Sequence, residues 1–226
     1  MPGITGIISK AGVEQADVER MTRYLVHEPS YVSGTYANED VGLCVGWVSH
    51  GGSSSDCMPL WNERRDVCLI FSGEDFMDVG EVSQWLHGFG SGNAKYLITL
   101  YEAMGLRFIE KLNGWFSGLL VDVRRHLAVL FNDRYGLGRV YYHEDPDRFY
   151  FSSEAKSLLE VLPSLRRLDL RGVPETFACG SVLQDRTLFA GISLLPGAAQ
   201  GGPSLRMDVP EKKGTLVGKP GNDSRR

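Results

Sequence analysis

Apolar positions along this chain fall into short runs and alternations, interrupted by a few stretches of helical period. Ile4 and the Ile7-Ile8 pair stand between glycines, so Met1 to Ser9 reads as a short and central strand. From Val13 to His27 the set Val13, Ala16, Val18, Met21, Tyr24 and Leu25 recurs at three- and four-residue steps, which predicts an amphipathic helix ended by Pro29. Val41 to Ser49 and Val67 to Phe71 are strand-like, and the turn-rich Gly51 to Asp56 between them predicts a hairpin-like excursion. Asn93 is placed as the N-cap of a helix carrying Ala94, Leu97, Ile98, Leu100, Tyr101 and Met104, with Gly105 as its stop. Trp115 to Phe131 reads as two strands around a turn at Asp122 to His126, and Val140 to Tyr142 with Phe149 to Ser152 as two more. Glu154 to Leu162 is a short helix closed by Pro163. Strands in two groups, with helices before and between them, favour a layered α+β architecture over a doubly wound sheet.

The texture changes after Pro196. Residues 201–226 are rich in glycine and proline, carry six basic residues against three acidic ones, and have almost no apolar periodicity. The expected division is therefore one folded domain over residues 1–196 and a disordered basic tail over 197–226, read as a solvated extension. No internal repeat is visible.

Composition narrows the function classes. A chain of 226 residues with 42% hydrophobic and 23% charged residues can bury an ample core without disulfides or metal. Its net charge of −4 offers no electrostatic case for nucleic acid or an anionic membrane, and neither is an expected partner. Cys44, Cys57, Cys68 and Cys179 form no CxxC pair and no zinc-type spacing with histidine, so reduced thiols and no metal site are expected. Without a membrane-length apolar run or a signal-peptide pattern the chain reads as cytoplasmic. His27, His50, His87, His126 and His143 stand singly among turns and strand ends, and Asp145-Pro146-Asp147 reads as a turn.

Three ordered blocks carry a family resemblance. Leu112-Asn113-Gly114-Trp115-Phe116-Ser117-Gly118, Asn132-Asp133-Arg134-Tyr135-Gly136-Leu137-Gly138-Arg139-Val140-Tyr141-Tyr142 and Phe151-Ser152-Ser153-Glu154-Ala155-Lys156-Ser157-Leu158-Leu159 resemble the glutaminase domain of asparagine synthetases. That family's patterns run L-x-G-M-F-A, R-D-R-x-G-x-x-P-L-Y-Y and F-A-S-E-x-K-A-L. The opening Met1-Pro2-Gly3-Ile4-Thr5-Gly6-Ile7 is similar to the start of a class II glutamine amidotransferase, which after loss of methionine begins Cys-Gly-Ile-x-Gly. The resemblance runs from Met1 to about Pro196 and implies the N-terminal nucleophile hydrolase fold, a four-layer αββα sandwich. Asp133-Arg134 and Glu154-Lys156 are read as fixing turns and sheet packing, not as catalysts.

The resemblance also implies a site, and this chain departs from it at four positions. The nucleophile position is Pro2, which has no side-chain nucleophile where the family uses a thiolate. The family's carboxylate-gripping arginine lies twelve positions before the proline of P-L-Y-N. Here Pro59-Leu60-Trp61-Asn62 puts Trp47 there, and an indole cannot form the bidentate clamp of a guanidinium. The oxyanion pair becomes Ser72-Gly73, a hydroxyl replacing a side-chain amide while the glycine is kept; losing such a donor costs on the order of a hundredfold in rate. The ammonium-binding aspartate becomes Asn93, which caps a helix but carries no charge. Apolar filling of the vacated pocket by Trp47 and Phe76 is expected.

The resulting expectation is an asparagine synthetase-like type 2 amidotransferase domain that has lost glutaminase activity and serves as a structural or interaction module. No cofactor is expected. Gly51-Gly52-Ser53-Ser54-Ser55-Asp56 lies between strands and is discounted as the S-G-G-x-D-S pyrophosphate loop of the family's second, ATP-using domain. The expected partner is a separately encoded ATP-dependent synthetase, and a homo-oligomer stays open. The alternative is an active enzyme of the asparagine synthase (glutamine-hydrolysing) type, or a new activity of the N-terminal proline amine.

Overall fold

The structure of the protein is a computed structural model that describes residues 2–10, 12, 15–53, 58–76, 94–197 and 204–208. Two antiparallel sheets organise it. The first runs in the order β10 (Ser193–Leu194), β8 (Tyr141–Glu144), β9 (Arg148–Ser152), β1 (Gly3–Ser9), β3 (Leu43–His50), β2 (Tyr31–Asn38). The second runs β11 (Ser204–Asp208), β7 (Leu127–Asn132), β6 (Gly114–Asp122), β5 (Val67–Asp75), β4 (Leu60–Trp61).

Period-two alternation explains why the sheets stack. On β1, Ile4 and Ile8 join Leu43, Val45 and Phe151 of their own sheet and Cys68, Ile70, Leu119, Val121 and Leu130 of the other in one buried cluster. The opposite face of the first sheet, with Ile7, Cys44 and Tyr150, meets Val18 and Met21 of helix α1 (Gln15–Leu25). Leu158 and Leu159 of a later helix, Ala155–Val161, join the same cluster. The outer face of the second sheet, with Leu69, Phe71, Phe116, Leu120, Val129 and Phe131, is covered by α2 (Tyr96–Met104) and α3 (Phe108–Lys111). Ala155–Val161 is then α4, and α5 (Gly172–Cys179) follows. The result is four layers, helix, sheet, sheet, helix, as the resemblance implies.

Two local expectations change. The runs at Val41–Ser49 and Val67–Phe71 are not arms of one hairpin, because β3 pairs with β1 and β2 while β5 pairs with β4 and β6 in the other sheet. Both strands are buried on both faces, so their apolar runs say nothing about which neighbour they take. The sheet also continues past residue 196: β11 pairs Met207 with Ala128 on β7, within the stretch read as a disordered tail. Its short length and polar neighbours hide it from periodicity, and residues 209–226 lie outside the described residues.

The turn expected at Asp122 to His126 is present. Asp122 Oδ1 accepts the Arg125 N–H at 3.3 Å, and His126 closes the turn at φ 49°. The Asp145 carboxylate likewise accepts the Asp147 and Arg148 N–H groups at 2.9 and 2.8 Å between β8 and β9.

Candidate functional site

At one end of the sandwich, where β1, β5 and β6 approach each other, lies an open cavity of about 600 Å³. Pro2 stands on its wall at the head of β1. The start of that strand is pinned: the Ile4 N–H donates to Ser153 Oγ at 2.9 Å, and the Ser153 N–H donates to the Ile4 carbonyl at 2.8 Å. Deeper along β1, Thr5 Oγ1 donates to the Phe151 carbonyl at 3.1 Å, and Ser157 Oγ to that of Met21 at 2.9 Å. Strand, helix α1 and helix α4 thus hold Pro2 in one place.

Ser72 and Gly73, near the end of β5, face Pro2 across the cavity. Ser72 is paired with Ser117 on β6, both are at least nine-tenths buried, and both line the cavity. Neither hydroxyl has a hydrogen-bond partner among the described residues. Gly73 has φ +120°, and a Cβ there would stand 2.0 Å from the Trp115 carbonyl oxygen. Only glycine fits a strand end that passes so close to its neighbour. Asp75 then anchors that end, accepting the Tyr96 hydroxyl at 2.5 Å and the Asn113 N–H at 2.8 Å. Burial, then the Asp75 carboxylate, holds the Tyr96 phenol far above its ordinary pKa, so it donates at every physiological pH.

The third wall is the loop after β7. Asp133 is fully buried, and its carboxylate accepts the N–H groups of Tyr135, Leu137 and Gly138 at 2.9, 3.1 and 2.5 Å. This folds the loop so that Leu137, Gly138 and Arg139 line the cavity. The expectation that Asp133 fixes a turn is met. Arg139 is exposed and has no ion-pair partner among the described residues, and the same holds for Glu74 on the opposite lip.

Glu154 and Lys156 also reach the cavity but are committed to each other. Glu154 pairs with Lys156 Nζ at 3.0 Å and with His27 Nε2 at 2.5 Å. Burial pushes the Glu154 carboxyl upward, yet the bonds from His27 and Lys156 outweigh it and hold it below the usual carboxylate range. His50 stacks edge-on against Tyr31 at 5.0 Å. No group of three or more His, Cys, Asp or Glu side chains that could hold a metal ion occurs among the described residues.

Of the positions singled out in the sequence, Pro2, Ser72 and Gly73 therefore meet at one cavity. Trp47 does not line it. Its indole lies over Gly34 of β2, where a Cβ would stand 2.5 Å from Trp47 Cζ2, on the side of β3 away from β1. Phe76 is 57% exposed and does not line the cavity either, so the expected apolar filling by these two residues is absent. Asn93 lies outside the described residues. Sequence reasoning passed over Arg139 and Ser117. Arg139 stands in an exposed turn without periodicity, but Ser117 was legible: alternation puts it on the face of Leu119 and Val121, an inward hydroxyl among apolar neighbours.

No described cysteine lines the cavity. Burial and, more weakly, Glu19 push the Cys44 thiol up to about 11, and burial alone pushes Cys68 up to about 12, so neither is a thiolate near neutrality.

A four-layer αββα sandwich with a cavity at the head of its central first strand is the arrangement of the N-terminal nucleophile hydrolases, here in glutamine amidotransferase form. The chain belongs to the family described as glutamine amidotransferase domain, matched over residues 1–207. It is 28% identical over 159 residues to the asparagine synthetase [glutamine-hydrolyzing] of Zea mays, a match covering 69% of this chain and 27% of that one. It is also 28% identical over 174 residues to asparagine synthetase [glutamine-hydrolyzing] 1 of Bacillus subtilis, covering 70% and 27%. The chain thus spans about a quarter of the length of these relatives. The solved glutamine phosphoribosylpyrophosphate amidotransferase of B. subtilis superposes with a TM-score of 0.57 at 12% identity, over 91% of this chain and 49% of that one, which establishes the shared fold. Among the described residues no helix is long and apolar enough to cross a membrane.

Proposed function

We propose that this asparagine synthetase-like amidotransferase domain does not hydrolyse glutamine and acts as a structural or interaction module beside an ATP-dependent amide ligase. The observation that carries the reading is Pro2 on the cavity wall at the head of β1, with no thiol lining it among the described residues. Attack on an amide carbon needs a nucleophile and a base within hydrogen-bond reach of each other. Proline supplies no side-chain nucleophile, and the thiols of Cys44 and Cys68 are protonated and directed elsewhere. At the position that resemblance assigns to the carboxylate clamp, Trp47 leans onto β2 and offers no charge.

The relatives' names join glutamine hydrolysis to asparagine synthesis. An ATP-using partner for this chain is inferred from that likeness alone. The test is to incubate the purified chain with glutamine and follow glutamate and ammonia. Release no greater than from a Pro2→Ala variant is expected, and release above that control would overturn the reading. One observation favours a second reading, chemistry at the proline amine: Pro2 borders an open cavity instead of packing into the core. An aldehyde probe with cyanoborohydride, followed by mass spectrometry of the N-terminal peptide, decides it: alkylation on the Pro2 nitrogen itself, ahead of the lysines, is expected, and alkylation of a retained Met1 amine or of lysines alone would reject it.

A further inference from the structure

The cavity is neither collapsed nor chemically blank. Its volume of about 600 Å³ lies within the range of small-molecule sites. Ser72 and Ser117, each at least nine-tenths buried as residues, turn hydroxyls without a protein partner among the described residues onto the cavity, where water or a ligand can meet them. The walls above them are apolar and aromatic: Pro2, Trp115, Leu137 and Tyr141. Trp115 and Leu137 are 66% and 60% exposed, large apolar groups left open to solvent at the cavity's edge. One cation lining the cavity, Arg139, lacks an ion-pair partner among the described residues, whereas Lys156 is paired with Glu154. Its loop is held in shape by the three N–H bonds to the buried Asp133 carboxylate, so the guanidinium is carried on a fixed support.

From this pattern we infer that the cavity binds a small amphipathic carboxylate: an apolar or aromatic body between Trp115 and Leu137, a hydrogen-bonding group at Ser72 and Ser117, and a carboxylate on Arg139. A planar guanidinium matches a carboxylate with two parallel hydrogen bonds, and an indole face accepts a flat apolar body. The unpaired carboxylate of Glu74 disfavours a second negative charge, so the ligand is a monoanion. The inference rests on the reading above only in that the ligand is held without being cleaved.

The test uses the full chain, with 4-hydroxyphenylacetate as probe and its uncharged amide as control, by isothermal titration calorimetry. Saturable one-to-one binding of the acid is expected, with the amide weaker by about tenfold or more. Arg139→Gln, at an exposed position that leaves the core untouched, should remove that preference and weaken the acid about tenfold. Ser72→Ala combined with Ser117→Ala should weaken acid and amide alike by a severalfold factor. Absence of saturation up to about 10 mM would overturn the proposal. So would equal binding of acid and amide, or an Arg139→Gln variant that binds the acid unchanged. Glutamate release from glutamine, measured on the same preparation, would overturn the non-hydrolytic reading while leaving this one to stand on the binding data.

Discussion

The two ends of the β5–β6 pair solve the problem of buried polarity in opposite ways. At the end where β5 begins, Asp122 is completely buried and both carboxylate oxygens are occupied. Tyr101 donates its hydroxyl to Oδ2 at 2.8 Å, Arg124 gives Nε to Oδ1 at 3.1 Å and Nη2 to Oδ2 at 3.0 Å, and the Arg125 N–H reaches Oδ1 at 3.3 Å. At the other end, Ser72 and Ser117 are nearly as buried, and their hydroxyls have no partner among the described residues. Beside them the strands meet by close backbone approach, Gly73 against the Trp115 carbonyl and Gly138 against that of Phe116, with Asp75 anchoring the end of β5 through Tyr96 and the Asn113 N–H. A saturated network is what a structural role requires, and unpartnered hydroxyls in an open cavity are what a binding role leaves behind.

The largest expected effect is at the saturated end. Asp122→Ala strands the Tyr101 hydroxyl and removes the partner of a half-exposed arginine, and should lower stability by about 2–4 kcal/mol in urea unfolding. Burial pulls the Asp122 carboxyl upward, but the bonds from Arg124, Tyr101 and the Arg125 N–H together hold it below its ordinary value. A depressed pKa in the folded state makes this contribution complete above the unfolded value of about 3.9, and it is lost as pH falls through the folded value. The stability gap between wild type and Asp122→Ala should therefore be constant from neutral pH down to about pH 5 and narrow in more acidic solution. A gap that widened on acidification would mean that the carboxyl is neutral in the fold.

Gly73→Ala tests the other mode of closure. The strained φ and a Cβ placed on the Trp115 carbonyl together predict a loss of about 2–3 kcal/mol, again read from the urea midpoint. A loss under about 0.5 kcal/mol would show that β5 and β6 part easily there, and that the cavity wall is not held by this contact.

These two ends were not equally legible in the sequence. Two apolar runs in Trp115 to Phe131, split by the polar Asp122 to His126, marked two strands and their turn, and the turn holds Asp122 where a short loop must be tied down. Helices α1 and α2 were readable because three- and four-residue apolar steps have one geometric meaning. The sheet assignment of β3 and β5 was not readable, since a strand buried on both faces has no distinctive partner. The apolar run Val41 to Ser49 put Trp47 on a strand but could not reveal that its ring turns toward Gly34. Arg139 stayed hidden because its position depends on Asp133 folding the loop, a contact between residues that share no periodicity.

A smaller effect is expected when the unpartnered hydroxyls are removed. Ser72→Ala and Ser117→Ala delete no protein hydrogen bond, so each should change stability by less than about 0.5–1 kcal/mol, far below Asp122→Ala. If either cost as much as Asp122→Ala, its hydroxyl would be part of the structural network, and the contrast between the two ends would fail.

The smallest effect belongs to the substitution that looks most consequential. Pro2→Cys returns a thiol to the cavity wall but changes neither Trp47 on its far side of β3 nor the Ser72 hydroxyl in place of an amide. A restored nucleophile without a cation at the Trp47 position, where the resemblance puts the carboxylate clamp, gains little from proximity unless another group holds the reacting geometry. It also lacks one oxyanion donor, itself worth about a hundredfold. Glutamate release by Pro2→Cys should therefore stay at the level of Pro2→Ala, measured at saturating glutamine over hours. Turnover well above that control would place another cation on the glutamine carboxylate. Arg139, unpaired on the same cavity, would then be the residue to remove next, and loss of the regained activity in the Pro2→Cys, Arg139→Gln double variant would identify it as the clamp.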